Sequence, residues 1–387
     1  MLTYLNSTID IESWAMALLI QVLISFLVVQ QCFQKSDAQL MLQIPALSKC
    51  GFDKIYQLGD SLSDTGNFIR LSIWGSVSPF AKLPYGVNFF KKGTGRASDG
   101  MIIIDFIALE SGLPLLNPYM DQNANFAHGA NFAVIGATAL EAGVLAEKKI
   151  FNPLGNGSLD MQLGWMSSHF QYTCHNDCSE YLKSSLFLVG EIGGNEFFYG
   201  LTQGKTMEEL RNMVPEVVQN IVEAVNTVTG FGAIRIFIPG NFPIGCLPMT
   251  LTTFLTNNSM AYDENYCLKD LNSLAIFYNE NQQQAIEDLK KKNPNVTLIY
   301  GDYYNAYQWL LQNTVNHGFD QNSLRKACCG EGGYYNYDAK RHCGFPGVPV
   351  CADPSTYISW DGVHLTEKAY SLIARWLIDD ILPQLEC

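Results

Sequence analysis

Charge is scarce in this 387-residue sequence: Asp, Glu, Lys and Arg make up 16% of it, below the roughly 25% of an ordinary soluble chain. Basic residues are the scarcer kind, 24 against 37 acidic, giving a net charge of −13. No basic run exceeds Lys290-Lys291-Lys292, which ends a helix-period segment, where cations suit the helix dipole. This balance lacks the footprint that nucleic acid or an anionic lipid surface requires, so neither is expected as a partner. Residues 39–387 contain no internal repeat, low-complexity tract or Pro-rich linker, which favours a single domain. Paired Cys-x-x-Cys spacing is absent, which argues against a zinc site; no metal and no cofactor are expected. No Gly-x-Ser-x-Gly elbow occurs either, which disfavours a conventional α/β-hydrolase.

Long apolar stretches are missing too, save one over residues 14–29, interrupted only by Gln21 and Ser25. It is short for a membrane span, which needs about 20 apolar residues. Ser36-Asp37-Ala38 follows with small residues at the positions a signal peptidase reads, so residues 1–38 are expected to be a cleaved signal, with the mature chain starting at Gln39. Asp10 and Glu12 precede the stretch where basic residues are usual; a start at Met16 would remove them. The implied route is the secretory pathway, to the extracellular space, the apoplast or the vacuole, without stable membrane insertion after cleavage.

Cysteine is plentiful. Of eleven, Cys32 falls in the leader, leaving Cys50, Cys174, Cys178, Cys246, Cys267, Cys328, Cys329, Cys343, Cys351 and Cys387. An even set fits full pairing in an oxidising compartment. Cys174 and Cys178 are spaced for a local bridge, whereas adjacent Cys328 and Cys329 would strain one another and should each pair elsewhere. Asn156, Asn257 and Asn295 head sequons that would carry glycans on this route.

Short apolar runs end repeatedly in Gly-containing turns: 54–58 before Gly59, 131–135 before Gly136, 186–189 before Gly190, 234–238 before Pro239-Gly240, and 296–300 before Gly301. Such runs read as buried strands. Between and after them lie helix-period segments at 100–111, 159–170, 207–229, 268–292, 303–313 and 365–380. The alternation implies a parallel sheet covered on both faces, an α/β/α domain with its site beyond the strand ends.

Ser61 stands at the tip of the first strand, where a nucleophile is expected, and serine needs an adjacent base. Of six histidines, only His364 stands in a compact acid–base arrangement, Asp361-Gly362-Val363-His364, ahead of the last helix. The carboxylate would fix the imidazole tautomer that leaves Nε2 to take the serine proton. A competing reading has Asp361 capping the helix and His364 on its surface.

Gly59-Asp60-Ser61-Leu62-Ser63-Asp64-Thr65-Gly66-Asn67 resembles the first block of the plant GDSL esterase/lipase (SGNH hydrolase) family. Asn131-Phe132-Ala133-Val134-Ile135-Gly136-Ala137 resembles its second block, Gly193-Gly194-Asn195 its third and Asp361-Gly362-Val363-His364 its fifth, in the family's order. The likeness extends through Cys328-Cys329-Gly330 and Tyr335-Asn336-Tyr337-Asp338. It is strongest to the acetylajmalan-esterase and sinapine-esterase types. The resemblance implies a three-layer α/β/α sandwich with a mostly parallel, flavodoxin-like sheet. It also implies Ser61 as nucleophile, His364 as base and Asp361 as its orienting acid, with an oxyanion hole from Ser61, Gly136 and Asn195. Asp64 and Asn67 are read as holding the turn after Ser61. The implied substrates are small esters of plant specialised metabolites such as alkaloids or phenolics, with acetyl or similar acyl groups. Glu196 departs from the family, which usually has Asp there; it either buttresses the loop or fixes the Asn195 amide. Acyl transfer through the same acyl-enzyme is the alternative chemistry, and a catalytically weak binding protein the alternative class. The presence of all five expected groups argues against the latter.

Overall fold

The computed structural model describes residues 45–175, 178–385 and 387. The expected signal, Cys32 and the start at Gln39 lie outside the described residues. Five strands carry the fold: β1 Lys54–Leu58, β2 Gly129–Asn131, β3 Ser185–Val189, β4 Arg235–Pro239 and β5 Thr297–Gly301. They form one sheet in the order β2-β1-β3-β4-β5, every pairing parallel. Among the described residues, seven helices of eight or more residues pack around it. They are α1 Ile103–Glu110, α2 Leu159–Thr173, α3 Gly194–Thr202, α4 Met207–Gly230, α5 Lys269–Lys292, α6 Tyr303–Gln312 and α7 Glu367–Ile381.

Side chains alternate across a strand, so each strand feeds two cores. Tyr56, Leu58, Phe187, Val189, Ile236 and Ile238 face the core built with α2, α4 and α5. Ile55, Leu186, Leu188, Phe237 and Ile299 face the opposite one, built with α1, α6 and α7. The result is a three-layer α/β/α sandwich. All residues of β1 and β3 are buried, which explains why β3 reads as a continuous apolar run over 186–189 rather than an alternating one, while β1 carries Lys54 and Gln57 among its buried residues. The strand order turns back between β1 and β3, and ligands of such sheets bind outside the carboxyl ends at that point.

Several boundaries differ from the sequence expectation: α1 is shorter than 100–111 and α2 runs on to Thr173. The second strand ends at Asn131 rather than spanning 131–135. Phe132 and Val134 N–H still reach the Gln57 and Gly59 carbonyls, but Ile135 N–H goes to the Asp64 carboxylate, which ends the ladder. Helix α3 begins inside the Gly193-Gly194 turn and was not anticipated. Helix α7 starts at Glu367 and is capped by Thr366, whose hydroxyl accepts the Ala369 N–H.

Five disulfides join Cys50 to Cys387, Cys174 to Cys178, Cys246 to Cys267, Cys328 to Cys351 and Cys329 to Cys343. The local bridge and the separate partners of the adjacent pair are as expected. No helix of the described residues is long and apolar enough to cross a membrane.

Candidate active site

The loop leaving β1 makes its turn at Gly59, where a Cβ would sit 2.4 Å from Ser63 Oγ and 3.0 Å from the Glu191 carbonyl oxygen. Only glycine lets the chain pass so close to the β3 exit. Gln162 of α2 clamps this glycine at both ends, accepting its N–H at 2.8 Å and donating to its carbonyl at 2.8 Å. Two residues on, Ser61 is buried at the strand tip.

The turn beyond Ser61 is held by Asp64 and Asn67. The Asp64 carboxylate accepts the N–H groups of Gly66, Asn67, Phe68 and Ile135. Burial nevertheless raises it to about 6. Asn67 donates to the Asn131 and Ala133 carbonyls and accepts from Met120 N–H. Both stitch the β1 exit to the β2 exit.

His364 comes from the other end of the chain. The segment 361–364 is a turn ahead of α7 rather than part of it: Asp361 Oδ1 accepts the N–H of Val363 at 3.0 Å and of His364 at 2.8 Å. Asp361 is therefore no helix cap, and His364 is buried rather than on a helix surface. Its Nε2 lies 2.7 Å from Ser61 Oγ and its Nδ1 2.7 Å from Asp361 Oδ2. With the Nδ1 proton directed at the carboxylate, Nε2 is left to accept the serine proton. Burial alone would raise Asp361, but the imidazole, the His364 N–H and the Tyr85 hydroxyl outweigh it and hold the carboxyl below its usual range. Tyr85 donates to Asp361 Oδ2 at 2.7 Å from 276 residues away. No sequence motif announces it. Phe80 stands edge-on to the imidazole with ring centroids 6.1 Å apart.

Gly136 follows β2 with φ at 78°, and a Cβ there would lie 2.7 Å from Leu154 Cβ, so the position needs glycine twice over. Its carbonyl is held by Asn152 and Tyr199, while no described group accepts its N–H or that of Ser61. Asn195, at the start of α3, is occupied differently: its Nδ2 donates to Asp60 Oδ2 at 3.0 Å and to the Ala137 carbonyl at 2.8 Å. Burial raises the Asp60 carboxyl to about 7. Glu196 does not hold the Asn195 amide. It is fully buried and accepts the Leu140 N–H at 3.0 Å, which buttresses the loop after Gly136; burial raises it to about 7.

Asp60, Ser61, Tyr85, Gly136, Asn195, Asp361 and His364 line a cavity of about 740 Å³. Its walls are largely apolar, with Phe68, Phe80, Phe198, Phe242, Leu154 and Met249 among them. It takes in Ser61, Gly136, Asn195, Asp361 and His364 together, the five residues singled out in the sequence. No cluster of His, Cys, Asp and Glu able to hold a metal occurs among the described residues. The sequon residues Asn156, Asn257 and Asn295 are exposed.

A serine, an imidazole and a carboxylate in series, beside two open backbone N–H groups, is the equipment of acyl transfer. The family model of GDSL-like lipase/acylhydrolases matches residues 55–377. The chain belongs to this family. It is 46% identical to acetylajmalan esterase 2 of Rauvolfia serpentina over 345 residues, covering 88% of this chain and 94% of that protein. It is 43% identical to acetylajmalan esterase 1 of the same plant over 340 residues, 87% and 89% of the two chains. A GDSL esterase/lipase of Arabidopsis thaliana is 42% identical over 339 residues, 88% and 92% of the two. With family and relatives agreeing, the chain is a carboxylic ester hydrolase.

Proposed function

We propose that this hydrolase is a secreted serine esterase that removes acetyl or similarly short acyl groups from plant specialised metabolites such as alkaloids or phenolics. The observation that carries the mechanism is the unbroken series from Ser61 Oγ through His364 to Asp361, opening on the cavity. His364 Nε2 takes the hydroxyl proton as Ser61 Oγ attacks the ester carbonyl. The oxyanion gathers on the N–H groups of Ser61 and Gly136. Asn195 adds a third donor when the hydrogen held by Asp60 turns to the oxyanion. The protonated imidazole then gives its proton to the leaving alcohol, and water, deprotonated by the same Nε2, releases the acid from Ser61.

The substrate half of the proposal draws on the acetylajmalan esterases at 43–46% identity and on a cavity large enough for a polycyclic alcohol. Secretion draws on the apolar leader, five disulfides and three exposed sequons. Reaction with a fluorophosphonate, followed by peptide mapping, tests the nucleophile: Ser61 alone becomes labelled, and labelling of another serine contradicts the assignment. A panel of acetyl, hydroxycinnamoyl and long-chain acylglycerol esters tests the substrate class, and preference for the last would overturn it.

A further inference from the structure

The cavity contains a polar group that the ester chemistry leaves unused. Glu191 leaves the end of β3, is 4% exposed and lines the cavity beside Ser61. Its carbonyl oxygen accepts the N–H of Asp60, the residue before the nucleophile, at 3.1 Å. Other buried carboxyls here are held by backbone donors: Asp64 accepts four N–H groups, and Glu196 accepts that of Leu140 at Oε1, its Oε2 having no partner. Among the described residues none donates a hydrogen bond to the Glu191 carboxyl. Across from it, Asn241 is 3% exposed, lines the same cavity and has an Oδ1 without a partner. The two oxygens converge: a Cβ built on Gly194 would lie 3.2 Å from Glu191 Oε1 and 3.3 Å from Asn241 Oδ1.

Two buried acceptors without a donor are costly unless something supplies one. No Lys or Arg lines the cavity, so the protein supplies no cationic donor there. Phe198 and Phe242 line the same cavity, and aromatic rings attract a cation more than a neutral group of the same shape. From this arrangement we infer that Glu191 and Asn241 form a subsite for the positively charged nitrogen of a basic ester substrate. Burial first, and the Asp60 and Glu196 carboxyls next, raise Glu191 well above the ordinary glutamate range, so the resting carboxyl holds its proton, and a bound cation supplies the opposite charge that lets it ionise. Because the subsite adjoins Ser61, it suits an ammonium joined to the ester oxygen by a short linker. The inference rests on the esterase reading of Ser61 and narrows its substrate class.

Acetylcholine and its neutral isostere 3,3-dimethylbutyl acetate, hydrolysed by the full-length enzyme, test it. Wild type is expected to favour the cationic ester in kcat/KM on the order of tenfold or more. Glu191→Gln should bring the ratio near unity, and Glu191→Asp, which keeps the charge, should retain part of the preference. Tetramethylammonium should compete with the neutral ester in wild type, more strongly than tert-butanol does, which gives the same reading without any variant. A wild-type ratio near unity, no competition by tetramethylammonium, or a preference that survives Glu191→Gln overturns the subsite while leaving the esterase intact. Failure to hydrolyse either ester, with no phosphonate labelling of Ser61, overturns the esterase reading and the subsite with it.

Discussion

At Asn195 the resting enzyme spends both amide hydrogens inside the protein, one on Ala137 and one on Asp60. Ser61 and Gly136 keep theirs open. In the proposed mechanism this third donor would be recruited only as negative charge develops, when a full oxyanion competes with the Asp60 carboxyl for one hydrogen. Such a donor contributes to the transition state more than to substrate binding. Asn195→Ala should lower kcat by ~10²–10³ with little change in KM. Unchanged kcat would mean the amide serves only to tie α3 to the loop after Gly136. Glu196 acts one step further out, through its bond to Leu140 N–H. Glu196→Asp restores the carboxylate usual in the family but shortens its reach, so kcat should move by less than about tenfold. A large gain in kcat would show the natural side chain to be a handicap.

Elements are tied together by the disulfides, and the ties differ in reach. Cys50–Cys387 spans 337 positions and fastens the carboxyl end of the chain beside the entry to β1, whereas Cys174–Cys178 spans 4. A cross-link removes more freedom from the unfolded chain the larger the loop it closes, with typical stabilisation of ~2–4 kcal/mol. Replacing both Cys50 and Cys387 by Ser should therefore lower the thermal midpoint further than replacing Cys174 and Cys178. Equal losses in calorimetry would rule out loop closure as the main effect. The local pair was legible because its spacing alone suffices. The long one was not, since nothing near either cysteine records the other. The same division runs through the site. Ser61 was legible from its place at the tip of a strand and His364 from Asp361 three residues away, whereas Gly136 and Asn195, which alone read as turn residues, were singled out only through the resemblance to the family's blocks. Tyr85 and Gln162 act on partners 276 and 103 residues distant, and only the folded chain joins them. Helix α3 was hidden for a different reason: its first turn contains glycine, which local propensity reads as a loop, and packing of Phe197, Tyr199 and Leu201 overrides it.

For the molecule as a whole, the buried acids set how stability responds to pH. Burial raises Asp60 and Glu196 to about 7 and Asp64 to about 6, and raises Glu191 as well. In the unfolded chain the same groups titrate near ~4. Between those values the folded state binds more protons than the unfolded one. The contribution is therefore fully present below the unfolded pKa and is lost as pH rises through about 6 for Asp64 and about 7 for Asp60 and Glu196, with Glu191 adding to the decline as it ionises. Asp361 acts oppositely: held below the usual range, it stabilises above the ordinary Asp pKa, and that contribution disappears as pH drops through its folded value. The two trends place maximal stability on the acid side of neutrality, in a protein of net charge −13. Differential scanning calorimetry should show a higher midpoint at pH 5 than at pH 8, by a few degrees or more, about what 1–3 kcal/mol produces in a domain of this size. Surface repulsion among the excess acids has the same sign, but salt screens it and screens buried carboxyls far less. The decline should persist in 0.5 M salt. Glu196→Gln keeps an acceptor for Leu140 N–H and removes one titration, so its midpoint should fall less between pH 5 and 8 than that of wild type. A midpoint that is flat or rising over that interval in high salt would mean these carboxyls are already ionised in the fold, each with a counter-charge or donor beyond those described.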